Sequence, residues 1–405
     1  MQKPSLPFQF WILALIAFIN SVSFTAIIPL LYPYAKLFGL SDFQASLLTT
    51  AYAVSQFIGT PILGRLSDFL GRKPLLLVSL LGTTVAGLIA SLTPYAWLLY
   101  ASRVLDGVTG GNISIARAVI SDMTPPDKRP RAFGIFDAMF RLGFVAGPSL
   151  SYLAQTIPPF PGVSRLGMGF LVAAGMALIA TILTLFFLPE TLTTKQDFHL
   201  SWRDFGLVRV FQSATRPTLG PLFLLTFFSG FTFTIFTFAF QPFFLNVLQQ
   251  TPKTLAIVFA MFGMLGFVAQ VFWLEPLTNR FKLVDILAIA ILVRGILFLL
   301  LPTFPTLPAF LAIGVFFGIA NAYPLPLINS LLSLNSSDRE QGEVFGINAS
   351  YLSMSNAFGP ATAGMLVEFG YKAPFWITGV LTILTAWFAY RLKTGLEVAA
   401  ETKSG

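Results

Sequence analysis

Long apolar runs, separated by short polar connections, recur along the whole chain. Most of them are about 20 residues or longer, the length that a helix needs to cross the hydrocarbon core of a bilayer. They cover residues 9–33, 44–64, 75–93, 96–121, 132–156, 166–188, 219–246, 254–277, 284–301, 307–333, 343–368 and 373–391. The pattern predicts an all-α membrane protein with twelve transmembrane helices.

One polar stretch is longer than the others and divides the runs into two sets of six. We therefore expect an N-terminal six-helix bundle over residues 1–188 and a C-terminal six-helix bundle over residues 218–392. Residues 189–217 would form a cytoplasmic central loop, and residues 393–405 a cytoplasmic tail.

A repeat in the sequence supports two related halves. Phe133-Gly134 and Gly147-Pro148 in the fifth run recur as Phe345-Gly346 and Gly359-Pro360 in the eleventh, and the offset between the two copies is the same for both pairs. Repeats of this kind are typical of transporters built from duplicated bundles. We expect the two bundles to be pseudo-symmetric.

The composition agrees with a membrane protein. Of 405 residues, 55% are hydrophobic and 10% are charged, and the mean hydropathy is +0.78, whereas a soluble chain has about 25% charged residues. The formal net charge of +8 comes from basic residues scattered over short loops, so it does not indicate a nucleic-acid partner. The chain has no cysteine, which excludes disulfides and thiolate metal sites.

The distribution of Lys and Arg predicts the orientation. With twelve helices, the side that holds both termini and the central loop carries 17 of the 25 basic residues, the opposite side carries four, and four lie within helices. The termini are therefore expected in the cytoplasm and the protein in the cell (inner) membrane as a multi-pass chain. The first run is too long for a removable signal and lacks a small-residue cleavage site.

The connection between the second and third runs contains a recognisable motif. It reads GRLSDFLGRKP from Gly64 to Pro74. This string resembles the loop signature of the major facilitator superfamily, G-x-L-x-D-x-x-G-R-[RK]-x. The resemblance implies a conformational latch at the cytoplasmic face, in which Arg72 pairs with an acid at the inner end of the fourth helix. The residues of this latch would be Gly64, Asp68, Gly71, Arg72 and Asp122.

Three further motifs indicate which group within this superfamily the chain resembles. The fourth run contains Arg103 and Gly107 in an R-x-x-x-G pattern, the fifth reads GFVAGP from Gly143 to Pro148, and the sixth ends in LPET from Leu188. Together they resemble the drug–proton antiporters, including the tetracycline exporters. The resemblance implies that Gly143, Gly147 and Pro148 form a helix kink and contact that block leak. Ordinary close packing is the alternative.

Charged residues within the predicted spans are expected to face a cavity or a partner, because a charge at mid-bilayer costs about 2.5–3.5 kcal/mol on insertion scales. Helical spacing and depth predict a polar network inside the N-terminal bundle that couples transport to protons. Its members would be Arg103, Asp106, Arg117, Asp137 and Arg141. Permanent ion pairs that never titrate are the alternative. Many antiporters have an acid in the first helix, where this chain has Asn20 to Ser23, so the proton site lies elsewhere or the coupling is not to protons.

A lone arginine also lies within the second half. We expect Arg294, in the ninth run, to pack or to extend toward the interface, because ninth helices are peripheral in this family.

A substrate cavity is implied by the family resemblance, lined mainly by helices 1, 4, 7 and 10. Aromatic rings and a few amides suit a bulky amphipathic ligand. Besides Arg103 and Asp106, the candidates are Asn20, Phe24, Tyr52, Gln56, Asn112, Phe233, Phe236, Gln241, Asn321, Tyr323, Tyr351 and Asn356.

The function expected from these features is secondary transport. The sequence has no G-x-x-x-x-G-K-[ST] phosphate loop, so a gradient and not ATP would supply the energy. We expect proton-coupled efflux of small amphipathic compounds or drugs by alternating access, by a monomer, without cofactor or metal. The alternatives are uptake or exchange of an anionic metabolite and, more remotely, a membrane-embedded enzyme or lipid sensor.

Overall fold

Twelve helical segments confirm the predicted all-α fold. The computed structural model describes residues 6–125, 128–193, 212–336 and 340–404, and within these ranges the chain forms helices and no strands. Eight segments are long and apolar enough to cross a membrane by length and composition alone. Most of the predicted central loop lies outside the described residues.

The first six segments differ in length and in regularity. They are α1 (Phe8–Leu37), α2 (Asp42–Leu70), α3 (Arg72–Leu92), α4 (Ala96–Val108 and Asn112–Met123), α5 (Arg129–Ala154) and α6 (Gly167–Phe187). The last six include two with short π-helical turns. They are α7 (Leu219–Pro242, then Phe243–Val247), α8 (Pro252–Val268, Ala269–Trp273 and Leu274–Thr278), α9 (Leu283–Leu300), α10 (Leu307–Ala320 and Pro324–Leu334), α11 (Gln341–Val367) and α12 (Ala373–Ser404).

The last helix is longer than its apolar run. The backbone of α12 continues to Ser404, so most of the segment assigned to a cytoplasmic tail is helical.

Two compact units account for the described chain. Residues 6–40, 51–193 and 252–260 form unit 1, and residues 41–50, 212–251 and 261–404 form unit 2. This division separates the first six helices from the last six except for two segments, the first turns of α2 and of α8. In unit 2, the first turn of α2 approaches α11 so closely that a Cβ on Gly364 would overlap the side chain of Ser46.

In unit 1, α1 lies at the centre and packs against α5 and α6. Small residues bring α1 and α5 together: a Cβ on Gly143 would overlap Ser21, and one on Gly147 would overlap Thr25. Hydroxyl groups of α1 then reach the backbone of α5, because Ser21 Oγ donates to Phe140 O at 2.6 Å and Thr25 Oγ1 to Gly143 O at 2.8 Å. This is close packing of the small-residue type that membrane helices use.

In unit 2, α7 packs against α11 and α12, and α9 packs against α12. The core contains a cluster of phenylalanine rings whose centroids lie between 4.4 and 6.3 Å apart. Its members are Phe236, Phe240, Phe243, Phe244, Phe262, Phe298, Phe310, Phe317 and Phe375. Such ring contacts add about 0.5–1.5 kcal/mol per pair to the burial of apolar area.

Two helices that the apolar pattern predicts as continuous are broken. The helix of α4 stops for residues 109–111, at Gly110-Gly111, and that of α10 stops for residues 321–323 before Pro324. Glycine weakens a helix and proline cannot donate within one. The offset between the two breaks equals the offset of the sequence repeat, so the breaks occupy equivalent places in the two halves.

Candidate functional site

The loop between α2 and α3 brings together three residues of the predicted latch. Arg72 pairs with Asp68 one turn away, and its Nε donates to Asp122 Oδ2, at the end of α4, at 3.0 Å. A further donor, Nη1, bonds to Ser67 Oγ at 2.8 Å. The guanidinium is thus held between two carboxylates. Arg72 as a whole is buried, with 8% of its surface exposed. This arrangement matches the contact that the family resemblance implies.

The two glycines of the latch differ in what the structure requires of them. Gly71 has φ of 121°, a region that L side chains rarely adopt, and a Cβ there would overlap Glu190. Around Gly64 a Cβ would meet no atom within 4 Å. The need for glycine at position 64 therefore stays a prediction.

Glu190 is a latch residue that sequence reasoning did not assign. Its carboxylate, just after α6, accepts hydrogen bonds from the backbone N–H groups of Arg72 at 3.0 Å and Lys73 at 3.1 Å, at the start of α3. It also accepts from the N–H groups of Thr191 and Leu192. The LPET motif was the signal that could have found it, because an acid next to a helix N-terminus satisfies donors that have no partner in the helix.

Two opposing effects act on this carboxyl group. Partial burial raises the pKa of Glu190, but the four backbone N–H groups of Leu192, Arg72, Lys73 and Thr191 outweigh it and bring the pKa below its ordinary value. Glu190 therefore stays ionised at neutral pH and remains a good acceptor for the first turn of α3.

A buried ion pair lies in the first half of α4. Arg103 Nη1 is 3.2 Å from Asp106 Oδ2, and the two residues are only 3% and 4% exposed. Two other guanidinium nitrogens of Arg103, Nε and Nη2, have no hydrogen-bond partner among the residues that the structure describes, and Thr83 of α3 bonds to Asp106. Buried donors without a partner are uncommon in folded proteins, and each calls for a functional explanation.

Aromatic rings and an amide surround this pair. The Cζ atom of Arg103 lies 6.0 Å from the ring of Tyr52 and 5.9 Å from the ring of Phe170. Tyr52 packs against Phe24 with ring centroids 5.5 Å apart, and its hydroxyl accepts a hydrogen bond from Gln56 at 2.9 Å. Four predicted cavity residues of α1, α2 and α4 are thereby brought together. Cation–π contacts of this kind contribute about 0.5–2 kcal/mol.

A second ion pair joins the inner half of α4 to α5. Arg117 Nη2 donates to Asp137 Oδ1 at 3.1 Å, and these side chains are 53% and 44% exposed. The sequence predicts that Arg117 and Asp137 lie at similar depth, and they do. Arg141 follows one turn later on α5 and is exposed.

The five charged residues therefore form two separate groups, where the sequence predicts one network: Arg103 pairs with Asp106, and Arg117 and Arg141 both interact with Asp137. Arg117 lies about 15 Å of helix rise beyond Asp106 on α4, and the break at residues 109–111 lies between them. The buried pair is screened from water, whereas the other is open to it. Periodicity indicates that charges share a helix face, but it does not show how deeply each one is buried.

An amide pair lies at the start of the second half of α4. Asn112 Nδ2 donates to Asn20 Oδ1 of α1 at 3.2 Å. Both residues line a cavity of about 20 Å³ whose other walls are apolar, and this volume holds about one water molecule. Two predicted cavity residues therefore face a water-sized space in unit 1.

The predicted cavity residues of α7 and α11 are mostly buried in unit 2. Phe236 is 3% exposed and belongs to the phenylalanine cluster, so the structure places it in the core and not on a cavity wall. Tyr351 is 4% exposed and stacks on Phe223 at 5.5 Å. Gln241 is buried and donates to Thr237 O. The phenylalanine-rich α7 is apolar all round, so its sequence does not show which face is inward.

The remaining candidates of unit 2 differ in exposure. Tyr323 is buried at the break of α10, Asn356 is half-buried, and Phe233 is partly exposed. Asn321 has a partner that was not predicted, the arginine of α9.

Arg294 packs inside the helix bundle, one of the two arrangements expected for it, and does not extend toward the interface. It is 2% exposed. Its Nη1 donates to Asn321 Oδ1 at 3.2 Å, and its Nη2 lies 3.1–3.2 Å from Ser229 O, Ser229 Oγ and Thr232 Oγ1. The arginine therefore joins α9 to α7 and to the break of α10.

Glutamine side chains hold the two helix breaks in corresponding ways. Gln56 of α2 donates to Gly110 O at 3.3 Å, and Gln270 of α8 donates to Ala322 O at 2.7 Å. Backbone groups freed by a break inside a membrane protein need such partners. Gln270 was not predicted. Its position lies close to the one that the repeat offset gives from Gln56, so the sequence repeat could have found it.

Comparisons with known proteins agree with this architecture. A sequence model described as the Major Facilitator Superfamily matches residues 13–217 and 222–404. Multidrug resistance protein 2 of Bacillus subtilis (strain 168) is 27% identical over 370 residues, which covers 91% of this chain and 90% of that protein. Tetracycline resistance protein, class C, of Escherichia coli is 30% identical over 332 residues, 77% of each chain. The crystal structure of a D-xylose-proton symporter is similar in fold, with a TM-score of 0.76 at 16% identity, covering 95% of this chain and 98% of that one.

Proposed function

Because this chain belongs to the Major Facilitator Superfamily, we propose that it exports small amphipathic compounds or drugs in exchange for protons. The protein is a multi-pass membrane transporter and not an enzyme. The relatives that support export are the multidrug and tetracycline resistance proteins. The observation in this chain that carries the proposal is the buried Arg103–Asp106 pair beside the rings of Tyr52 and Phe24.

Proton exchange follows from the environment of Asp106. A carboxylate shielded from water is stable only while a partner compensates its charge, and here Arg103 is that partner. In an exchange cycle the substrate and the proton are bound alternately, so the substrate binds from the cytoplasm while Asp106 is ionised and paired with Arg103. Uptake of a proton by Asp106 from the outer side breaks this pair and releases the substrate, and the proton leaves to the cytoplasm when the pair forms again.

The water-exposed pair of Arg117 and Asp137 supplies the route by which protons pass between Asp106 and the aqueous phase. Asp137 and Arg117 lie on the same bundle as Asp106, about 15 Å away along α4, and are open to water. We assign Asp137 to proton exchange with the aqueous phase and Asp106 to storage of the proton during substrate release.

The latch would time this exchange. Arg72 between Asp68 and Asp122 connects the α2–α3 loop to the end of α4, the helix that carries both pairs. Glu190 fixes the first turn of α3 from α6. Breaking the contact of Arg72 to Asp122 would release the inner end of α4, and this coupling of loop and helix is the part of the cycle we assign to the latch.

The gradient is large enough for transport without ATP. Moving one charge across 100 mV is worth about 2.3 kcal/mol, which supports about 50-fold accumulation. No further energy source is required by the proposal.

Vesicles with reconstituted protein and an imposed pH gradient test the proposal. Wild-type protein should move a drug or dye opposite to the proton, and Asp106→Asn should reduce this pH-driven movement at least 100-fold while leaving substrate binding measurable. Asp285→Asn, in the first turn of α9, is the matched control and should behave as wild type. Substrate moving with the proton, or full pH-driven export by Asp106→Asn, would overturn the proposal.

We also propose that both termini are cytoplasmic and that the protein works as a monomer in the cell membrane. The excess of basic residues, 17 against four, supports this orientation. Because the chain has no cysteine, a single cysteine introduced at Lys36 or at Lys73 can be labelled from one side at a time. We expect the first to react from outside and the second from inside. Reversed labelling would contradict the orientation.

Uptake or exchange of an anionic compound is the second candidate. Arg294 favours it, because its hydrogen bonds in the described residues go to uncharged oxygens. The same vesicles distinguish the two functions by the direction in which an anionic substrate moves relative to the proton.

A further inference from the structure

The charge of Arg294 is not balanced by its contacts. The side chain lies inside unit 2 between α7, α9 and α10, and the residue is 2% exposed. Its four contacts in the described residues go to an amide oxygen, a backbone carbonyl and two hydroxyl groups, and its Nε has no partner. A buried guanidinium normally has a carboxylate beside it, because desolvating a lone charge costs several kcal/mol.

The contacts of this guanidinium go to neutral oxygens. Each is 3.1–3.2 Å, which is within the ordinary range of N–H···O hydrogen bonds, and none is the stronger kind that a carboxylate would accept. An anion that binds here would therefore meet a cation whose charge none of these partners neutralises.

The break in α10 does not need an arginine to hold it. At the corresponding break in α4, the residue that the repeat makes equivalent to Arg294 is Gly82, which packs against Thr109, and Ser79 Oγ bonds to Thr109 O. A glycine and a serine are thus sufficient in the other half of the fold. The positive charge of Arg294 is additional to the structural requirement.

From these observations we propose that Arg294, with Asn321, Ser229 and Thr232, forms a binding site for a monovalent anionic group. The occupant is a carboxylate of the transported compound or a free chloride ion, and both offer the same chemistry to the guanidinium. The carboxylate form rests on the proposed function, since it makes the substrates acidic or zwitterionic amphipaths. Asn321 is only partly buried, so of these four residues it is the most accessible to an occupant.

Asn321→Asp is the central variant for the test. It keeps the oxygen that accepts a hydrogen bond from Arg294 and adds a negative charge. The carboxylate of the variant therefore takes the place of the external anion. Asn335→Asp adds the same charge at the end of α10, away from Arg294, and serves as the matched control. Arg294→Met removes the cation and leaves a side chain of similar length.

The probe is a fluorescent aromatic carboxylate compared with its uncharged methyl ester. Binding is measured by tryptophan fluorescence on the whole protein in detergent, with sodium gluconate in place of chloride. Wild type and Asn335→Asp should bind the acid at least 10-fold more tightly than the ester. In Asn321→Asp and Arg294→Met the ratio should fall to about 1.

Chloride identifies the source of the anion. Competition of sodium chloride with the acid in wild type, absent in Asn321→Asp, shows one site that accepts either ligand. A chloride-induced rise of the melting temperature without preference for the acid shows that the occupant is the free ion.

Wild type alone can overturn the inference. Equal binding of acid and ester together with no response to chloride means that Arg294 is only a structural cation, and this result needs no variant to fold. Failure of the proposed function is a separate outcome: preference for the acid without any pH-driven movement in vesicles refutes proton-coupled export and leaves the anion site intact.

Discussion

The break in α4 and the break in α10 occupy equivalent positions in the repeated sequence, and they differ mainly in charge. In both, a glutamine from a neighbouring helix donates to a freed carbonyl, from Gln56 to Gly110 O and from Gln270 to Ala322 O. Near the first, Arg103 and Asp106 form an ion pair in α4 itself. Near the second, the equivalent positions are Val315 and Gly318, and a cation enters from α9.

This comparison separates what the duplicated fold requires from what each half has added. The common requirement is a donor for the carbonyl at the break, and both halves meet it with an amide. The charged residues are not shared, so they belong to function specific to one half. A neutral pair in unit 1 suits storage of a proton, and an uncompensated cation in unit 2 suits recognition of a negative charge.

Removal of each arginine gives the largest expected difference between the two halves. Arg103→Met leaves the buried Asp106 without its cation, which costs about 3–5 kcal/mol. Arg294→Met leaves only neutral oxygens, so we expect a loss of about 1 kcal/mol. Melting temperature in detergent should therefore fall much more for the first. The double variant Arg103→Met/Asp106→Asn should recover most of the loss, and equal losses for the two single variants would contradict the comparison.

Removal of each glutamine tests the feature that the halves share. Gln270→Leu and Gln56→Leu each leave a break carbonyl without its side-chain donor, at a cost of about 1–3 kcal/mol. We expect the larger effect for Gln270, whose bond is 2.7 Å against 3.3 Å for Gln56. Melting temperatures in detergent measure this, with Gln250→Leu, outside the breaks, as the control. A smaller effect for Gln270 would show that its bond does not hold the break.

The contacts of α1 with α5 and of α7 with α11 each pair a glycine with a serine, and the two residues can be exchanged between the helices. In unit 1 the glycine is Gly143 and the serine is Ser21, whereas in unit 2 the glycine is Gly230 and the serine is Ser355. Gly143→Ser alone should overpack the contact by about 1–3 kcal/mol. Adding Ser21→Gly copies the arrangement of unit 2 and should restore most of the melting temperature. No recovery would mean that the two contacts are not equivalent.

Glu190 gives the smallest expected effect and has a pH signature. Glu190→Gln removes a negative charge from the N-terminus of α3, worth about 0.3–1 kcal/mol. Because the pKa of Glu190 in the folded protein lies below its ordinary value, its stabilisation is complete above the ordinary pKa, about 4.3. It is lost as the pH falls through the lowered value. The difference in melting temperature between wild type and variant should be constant from pH 8 to 5 and should shrink below that.

Much of this fold and part of the site follow from the sequence. The twelve helices follow from runs of bilayer length, and the contacts of Arg72 with Asp68 and Asp122 follow from a motif confined to one short loop and one helix end. These features depend on local spacing, which the sequence states directly. The pairing of Arg117 with Asp137 also follows, because the two residues lie at similar distances from the cytoplasmic ends of their helices, which are close to each other in sequence.

The missed features depend on the rotation of a helix about its own axis. A helix that is apolar all round, such as α7 or α9, has no polar stripe to fix its inward face. For this reason Phe236 was expected on a cavity wall but is buried in the packing, and the sequence could not decide whether Arg294 packs or extends toward the interface. Glu190 was missed for another reason: the LPET motif places the acid at the end of α6, but its partners are backbone N–H groups of α3, which are distant in sequence.

The hydroxyl bridges between α1 and α5 have a mechanical consequence. Ser21 and Thr25 bond to carbonyl oxygens of α5 one turn apart, and no bulky side chain separates the two backbones. We therefore expect the two helices to move together. If protonation of Asp137 displaces α5, as the proposed cycle requires, Asn20 of α1 is displaced with it, and no relay of side chains is needed between the two sites.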